Sequence, residues 1–306
     1  MAVFGVEPAG AVTNPRNPPT TSSPGYWLVT ASGATYAYDA PYLADIPINR
    51  AGDPLDDIGK SDCGNGPGTP IPEVTKCVGI SANAGGQGYW VGQSSYFVQN
   101  GVSQYADSGI PQGYVDGECN GPGSAGSYQP TPLVGIVTAP SGAWLATANG
   151  GVFAICGASF FGSMGGARLT APIVGIAATP DGNGYWEVAA DGGVFAFGDA
   201  GFYGSMGGKP LNKPIVGMAA TPDGKGYWLV ASDGGVFAFG DAGYAGSMGG
   251  RTLNAPMVGV AANPDGTGYW TVASDGGVFA FGDAPYFGSA TGQIVATSVV
   301  GIASKG

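Results

Sequence analysis

The sequence contains no histidine, so any chemistry it performs must rest on carboxylates, thiols and hydroxyls. Histidine is the usual general base near neutral pH and the commonest transition-metal ligand. Its absence removes Ser-His-Asp and Cys-His arrangements. The four arginines, Arg16, Arg50, Arg168 and Arg251, are scattered, which argues against the guanidinium cluster with which a sialidase-type site holds a carboxylate. The glutamates are Glu7, Glu73, Glu118 and Glu187. A glycosidase needs two carboxyls converging across one bond, and Glu73 and Glu118 are the pair whose positions in separate irregular stretches leave that open. The aspartates are regular instead. Asp191, Asp233 and Asp275 open an Asp-Gly-Gly triplet, Asp181, Asp223 and Asp265 sit in Pro-Asp-Gly, and Asp199, Asp241 and Asp283 follow Phe-Gly. One acid per repeat makes a ring that could take Ca²⁺ if six or more oxygens converged. The alternative is that each aspartate accepts a hydrogen bond from its own turn, and a residue repeated in every unit is expected to serve the unit. No catalytic residue, metal or cofactor is therefore expected, with Ca²⁺ as the cation to consider.

The four cysteines, Cys63, Cys77, Cys119 and Cys156, lack the close pairing of a zinc site. They fall where the repeat is weak or broken, which favours disulfides in an oxidising compartment over four free thiols. The expected pairs are Cys63–Cys77 and Cys119–Cys156.

The elements that hold these residues come in repeats. Trp27, Trp90, Trp144, Trp186, Trp228 and Trp270 mark six units, and the last four lie 42 residues apart. Five of these tryptophans follow Gly-Tyr. The best copies span Ile173 to Gly208, Ile215 to Gly250 and Met257 to Gly292, and a Val-Gly motif recurs at Val78-Gly79, Val134-Gly135 and Val300-Gly301. No segment shows helical spacing of apolar residues. Short β-branched and aromatic runs bounded by Gly, Pro, Asp and Asn predict strands and turns. In the third copy, Met257 to Ala261, Tyr269 to Ala273 and Val278 to Phe281 are expected strands, with Tyr286 to Ser289 a short fourth. Asp275-Gly276-Gly277 is expected to be a tight Asp-Gly hairpin turn.

Four strands in about 42 residues predict an all-β chain folded as a six-bladed β-propeller of four-stranded blades, with the tryptophans in the inter-blade core. The whole of 1–306 reads as one domain, with 1–24 as an N-terminal arm and 46–75 and 108–131 as insertions between blades. Both Val3 to Val6 and Val299 to Ile302 could supply the strand that closes the ring, and the C-terminal copy matches the repeat better.

The sparse charge is mostly acidic, with 21 acids against 10 bases and a formal net charge of −11, which argues against a nucleic-acid partner. No apolar run is long enough for a membrane span. Residues 1–24 lack the features of a signal peptide. That implies either a removed signal or another route out of the cell, such as a virion.

The Gly-Tyr-Trp … Asp-Gly-Gly-Val-Phe-Ala-Phe-Gly-Asp-Ala unit resembles a repeat of large exported actinobacterial proteins, closely over about 130–292 and loosely before. The Ser232-Asp233-Gly234-Gly235 turn is also similar to the Asp-box of sialidase-like propellers, though it lacks the Thr-Trp ending. The resemblance implies an exported propeller with no chemistry of its own, displayed by a bacterium or by a phage. The expectation is a non-enzymatic extracellular or virion-surface module for adhesion, recognition or assembly, bound to other proteins of a surface assembly or to a cell-surface glycan. The alternative is a secreted carbohydrate-active hydrolase using carboxylates in the insertions. Recognition is expected where the repeat breaks, in 9–24, 46–75 and 108–131, because loops on a rigid scaffold are the usual seat of binding.

Overall fold

The computed structural model describes residues 25–31, 35–40, 76–82, 88–94, 101–106, 111–114, 132–155, 157–292 and 298–305. Among these residues there are strands, turns and extended segments and no helix. The strands are β1 (Gly25–Thr30), β2 (Thr35–Tyr38), β3 (Lys76–Ala82), β4 (Gly88–Ser94), β5 (Gly101–Ala106), β6 (Pro111–Tyr114), β7 (Leu133–Thr138), β8 (Ala143–Thr147) and β9 (Val152–Ile155). They continue as β10 (Ile173–Ala178), β11 (Gly184–Ala189), β12 (Val194–Gly198), β13 (Ile215–Ala220), β14 (Gly226–Ala231), β15 (Val236–Gly240), β16 (Met257–Ala262), β17 (Gly268–Ala273), β18 (Val278–Gly282) and β19 (Val299–Lys305).

These form six antiparallel sheets. Sheet 1 has the order β19-β1-β2, and sheet 2 is β3-β4-β5-β6. Sheets 3 to 6 are β7-β8-β9, β10-β11-β12, β13-β14-β15 and β16-β17-β18. Sheet 1 is thus completed by the C-terminal strand, in register from Gly25↔Lys305 to Val29↔Gly301. Residues 3–6, the other candidate for that place, lie outside the described residues.

The first strand of each sheet lies against the first strand of the next: β3 on β7, β7 on β10, β10 on β13, β13 on β16, β16 on β19 and β19 on β3. The neighbour relation returns to its start. The Val-Gly motif explains how the strands come so close. In every first strand the register slips at the valine, a β-bulge, and the glycine follows it. A Cβ placed on Gly175 would lie 3.6 Å from the Gly217 Cα, one on Gly217 would lie 3.7 Å from the Gly259 Cα, and one on Gly301 would lie 3.4 Å from the Gly79 Cα. Backbone packs on backbone there: a methyl would already be in van der Waals contact with the next strand, and a branched side chain would push the strands apart.

The middle strands carry the seams between sheets. Alternate residues of a strand point to opposite faces, so Trp186 and Val188 pack on Tyr227, Leu229 and Ala231 of the next sheet, and Trp228 and Val230 pack on Tyr269 and Ala273. Trp144 meets Tyr185 with ring centroids 5.2 Å apart, and Trp270 meets Tyr26 at 5.4 Å. The polar tips are satisfied as buried aromatics require. The Trp186 and Trp228 indole N–H groups donate to the carbonyls of Gly201 and Gly243 at 2.7 and 2.8 Å. The tyrosine hydroxyls cross the seam, Tyr185 to the Gly162 carbonyl at 2.6 Å and Tyr227 to the Gly204 carbonyl at 2.5 Å.

Two local expectations are corrected. Tyr286 to Ser289 is not a strand, and sheet 6, like sheets 1, 3, 4 and 5, has three strands. Gly288 has φ 138°, outside the strand region, and the segment is tied by the Ala290 N–H to the Gly276 carbonyl at 2.9 Å rather than by a ladder. The turn at Asp275-Gly276-Gly277 does join β17 and β18 as a hairpin, but not as the two-residue type that Asp-Gly favours. The Gly276 N–H donates to the Ala273 carbonyl and the Ala273 N–H to the Gly277 carbonyl, at 2.9 and 2.8 Å, so Ser274, Asp275 and Gly276 form a three-residue loop. Gly276 takes the left-handed position at φ 84°, as the third residue of such loops does. One strand falls in a stretch read as insertion: β6 lies within 108–131 and pairs with β5.

Candidate functional site

In sheets 4 to 6 the repeated aspartates gather at the two ends of the sheet, in the turns. At one end, the Oδ1 atoms of Asp191, Asp233 and Asp275 accept from the N–H groups of Gly193, Gly235 and Gly277 at 2.9, 3.1 and 3.0 Å. Each carboxylate closes its own loop, two residues on, as short acidic side chains do in turns.

At the other end, the Thr-Pro-Asp-Gly turn is a knot of hydroxyl and carboxylate. The Thr179 hydroxyl donates to Asp181 Oδ1 at 2.8 Å and accepts from the Gly184 N–H at 3.0 Å. Thr221 repeats this with Asp223 and Gly226 at 2.9 Å each. The Thr179 hydroxyl and the Asn183 N–H hold the Asp181 carboxyl down at about 2, and the Lys225 N–H and the Thr221 hydroxyl do the same for Asp223. Asp199 is pushed up, first by desolvation and then by Asp181 beside it. Two carboxylates thus meet in two of the repeats, Asp181 with Asp199 and Asp223 with Asp241. Among the described residues no group of three His, Cys, Asp or Glu side chains converges on a point that could hold a metal ion.

The tryptophans Trp27, Trp144, Trp186, Trp228 and Trp270 are fully buried in the seams. Trp90 lies on β4, where only the backbone is described. Cys63, Cys119 and Cys156, and with them Glu73 and Glu118, lie outside the described residues, and for Cys77 the description covers only the backbone of β3. The expected disulfides and the expected carboxylate pair therefore fall outside what is described. So do the arm 1–24 and the insertion 46–75. No helix among the described residues is long and apolar enough to cross a membrane.

Two features were given no functional role by the sequence. Phe160, Phe202, Tyr244 and Tyr286 occupy one position of the repeat and are 59%, 62%, 63% and 61% exposed. Their common spacing was visible in the sequence, but their exposure was not. The second is Glu187, which is fully buried. Its Oε2 accepts from the Met164 N–H at 3.2 Å and its Oε1 has no partner. Burial pushes this carboxyl up to about 7, against the pull of the Met164 N–H. The signal in the sequence was the change of residue type after tryptophan, Leu28, Leu145, Leu229 and Thr271 in other copies against Glu187 here.

No protein-family model matches the chain, and no curated protein matches it.

Proposed function

We propose that the chain is a six-bladed β-propeller that works without chemistry of its own, as an adhesion, recognition or assembly module on the outside of a cell or virion. One observation carries this reading. The repeated Trp, Tyr, Thr and Asp side chains are taken up inside their own turns and seams, while each of the last four repeats leaves one large aromatic on the surface, Phe160, Phe202, Tyr244 and Tyr286. The cyclic contact of six first strands supports the propeller. Three-stranded sheets followed by an extended segment would then be its blades, with β6 as a full fourth strand in one of them. The repeat's resemblance to exported actinobacterial proteins supports the location and includes a phage-borne copy. The partner is a protein of the same surface assembly or a cell-surface glycan.

Identical surfaces on successive repeats suit a partner that itself repeats, and linked weak contacts add as avidity. Single-partner recognition requires the places where the repeat breaks. The test is retention of the purified chain on cell envelopes and their isolated polysaccharides, with turnover of polysaccharides and esters assayed in parallel. Shortening 46–75 and 115–131, which spares β6, is expected to leave the fold intact and abolish retention. Retention that survives this and disappears on changing Phe202 and Tyr244 to Ser would move the contact to the repeats. Turnover lost on Glu73→Gln or Glu118→Gln would overturn the reading in favour of a hydrolase.

A further inference from the structure

The residue after the seam tryptophan faces the preceding sheet. Leu229 fills this place between sheets 4 and 5, and Leu28 fills it between sheets 6 and 1. Between sheets 3 and 4 the place holds Glu187, flanked on its own face by Tyr185 and Ala189, which pack on Trp144, Ala146 and Val152. Its cross-strand partners are Ile176 on β10 and Phe195 on β12. The segment after β9 meets it with one group, the Met164 N–H. The carboxyl is fully buried, and one of its oxygens is bonded to nothing.

We infer that Glu187 is a proton-controlled latch in the seam between sheets 3 and 4: protonated, it belongs to the apolar seam, and ionised, it loosens the hold of β11 on the segment that carries Met164. A buried carboxylate needs a cation or several hydrogen-bond donors to be tolerated. Among the described residues the Met164 N–H is the one donor to this carboxyl. The ionisable neighbour among the described residues is the Tyr185 phenol, whose ionisation is pushed up first by burial and further by Glu187, so it stays neutral and offers the carboxylate no compensating charge. Trp144, Ala146 and Val152 from sheet 3, Ile176 from β10 and Phe195 from β12 bring no charge. The carboxyl's ordinary value of 4.5 is raised to about 7 by this burial. The sign follows. The folded chain keeps a proton that the unfolded chain has released, so the contribution is fully present below about 4.5 and is lost as pH rises to about 7. The sequence favours the same direction elsewhere, since a chain with net charge −11 repels itself more as its carboxyls ionise.

The test uses the full chain, with Glu187→Gln and Glu187→Leu, and follows thermal unfolding by tryptophan fluorescence between roughly pH 5 and pH 8. The wild type is expected to lose several degrees of Tm across this range beyond any loss in the variants, and both variants are expected to exceed it at the alkaline end. If Glu187→Leu does not fold, Glu187→Gln decides, because it keeps the shape and an acceptor for Met164. Hydrogen exchange locates the effect. The Met164 amide should be equally protected in wild type and Glu187→Gln near pH 5 and less protected in wild type near pH 8, while the Tyr227 seam stays unchanged. Parallel Tm curves for wild type and Glu187→Gln, or loosening spread evenly over all seams, would overturn the inference.

Discussion

Trp228 has no exposed surface, and its indole N–H is bonded to the Gly243 carbonyl at 2.8 Å. Trp228→Ala removes the ring from a seam walled by Tyr269 and Met257, and should cost about 3–5 kcal/mol in chemical denaturation. Tyr227→Phe is a finer probe. Its hydroxyl donates to the Gly204 carbonyl and accepts from the Tyr203 N–H, so its loss strands two backbone groups in a half-buried seam and should cost about 1–3 kcal/mol. An unchanged midpoint in either variant would mean that the seam does not hold the sheets together. The tryptophan spacing already pointed to these rings, because equal spacing implies equal environment. Glu187 was not legible in the same way. A single acid among 21 gives no sign of burial until the strand's two faces are assigned to particular neighbours.

The Val-Gly strand shows how an element can be recognised before its reason is known. Its recurrence at Gly79, Gly135, Gly175, Gly217, Gly259 and Gly301 was plain. That the valine bulges and the glycine touches the next sheet's backbone depends on contacts far apart in the chain. Gly217→Val would push two methyl groups toward the Gly259 Cα, and should destabilise by about 1–3 kcal/mol through overpacking. Gly208→Ala meets no atom within 4 Å but sits at φ 75°, so its cost comes from backbone strain alone. The three middle strands of the best copies were readable from their aromatic and β-branched runs. The fourth was misread because Tyr286, Phe287 and Ser289 have strand-like composition, whereas Gly288 and the bond from Ala290 to the Asp-Gly-Gly turn take the chain off the ladder. The turn knots set the acid side of stability. Asp181 and Asp223 titrate near 2 when folded and near 3.8 when unfolded, so their contribution is present above about 3.8 and is lost as pH falls toward 2. Thr179→Val and Thr221→Val together should flatten that acid limb in a pH series of melts. A limb unchanged by both would show that the knots do not set it.

The opposed shifts of the turn aspartates and of Glu187 predict a stability maximum on the acid side of neutrality, which the same series of melts would read. What makes the molecule one body is the return of the chain to its beginning. β19 comes from the far end of the sequence, pairs with β1, and lies between β16 and β3. The repeat count made a ring an attractive expectation, and of the two segments with similar Val-Gly or Gly-Val signals the C-terminal one was the better copy of the repeat, which is the strand that pairs with β1. Register and contact decide it for the described residues. An open array of sheets tolerates loss of a terminal strand, because each sheet leans only on its neighbours. A closed one does not, since sheet 1 loses the strand that lies against both β16 and β3. Equilibrium unfolding of a chain ending at Thr297 is therefore the most direct measurement. Loss of the single cooperative transition is expected, with Trp27 exposed to solvent while the full chain keeps it buried. A truncated chain that unfolds at the same midpoint as the full one, with Trp27 still buried, would contradict it.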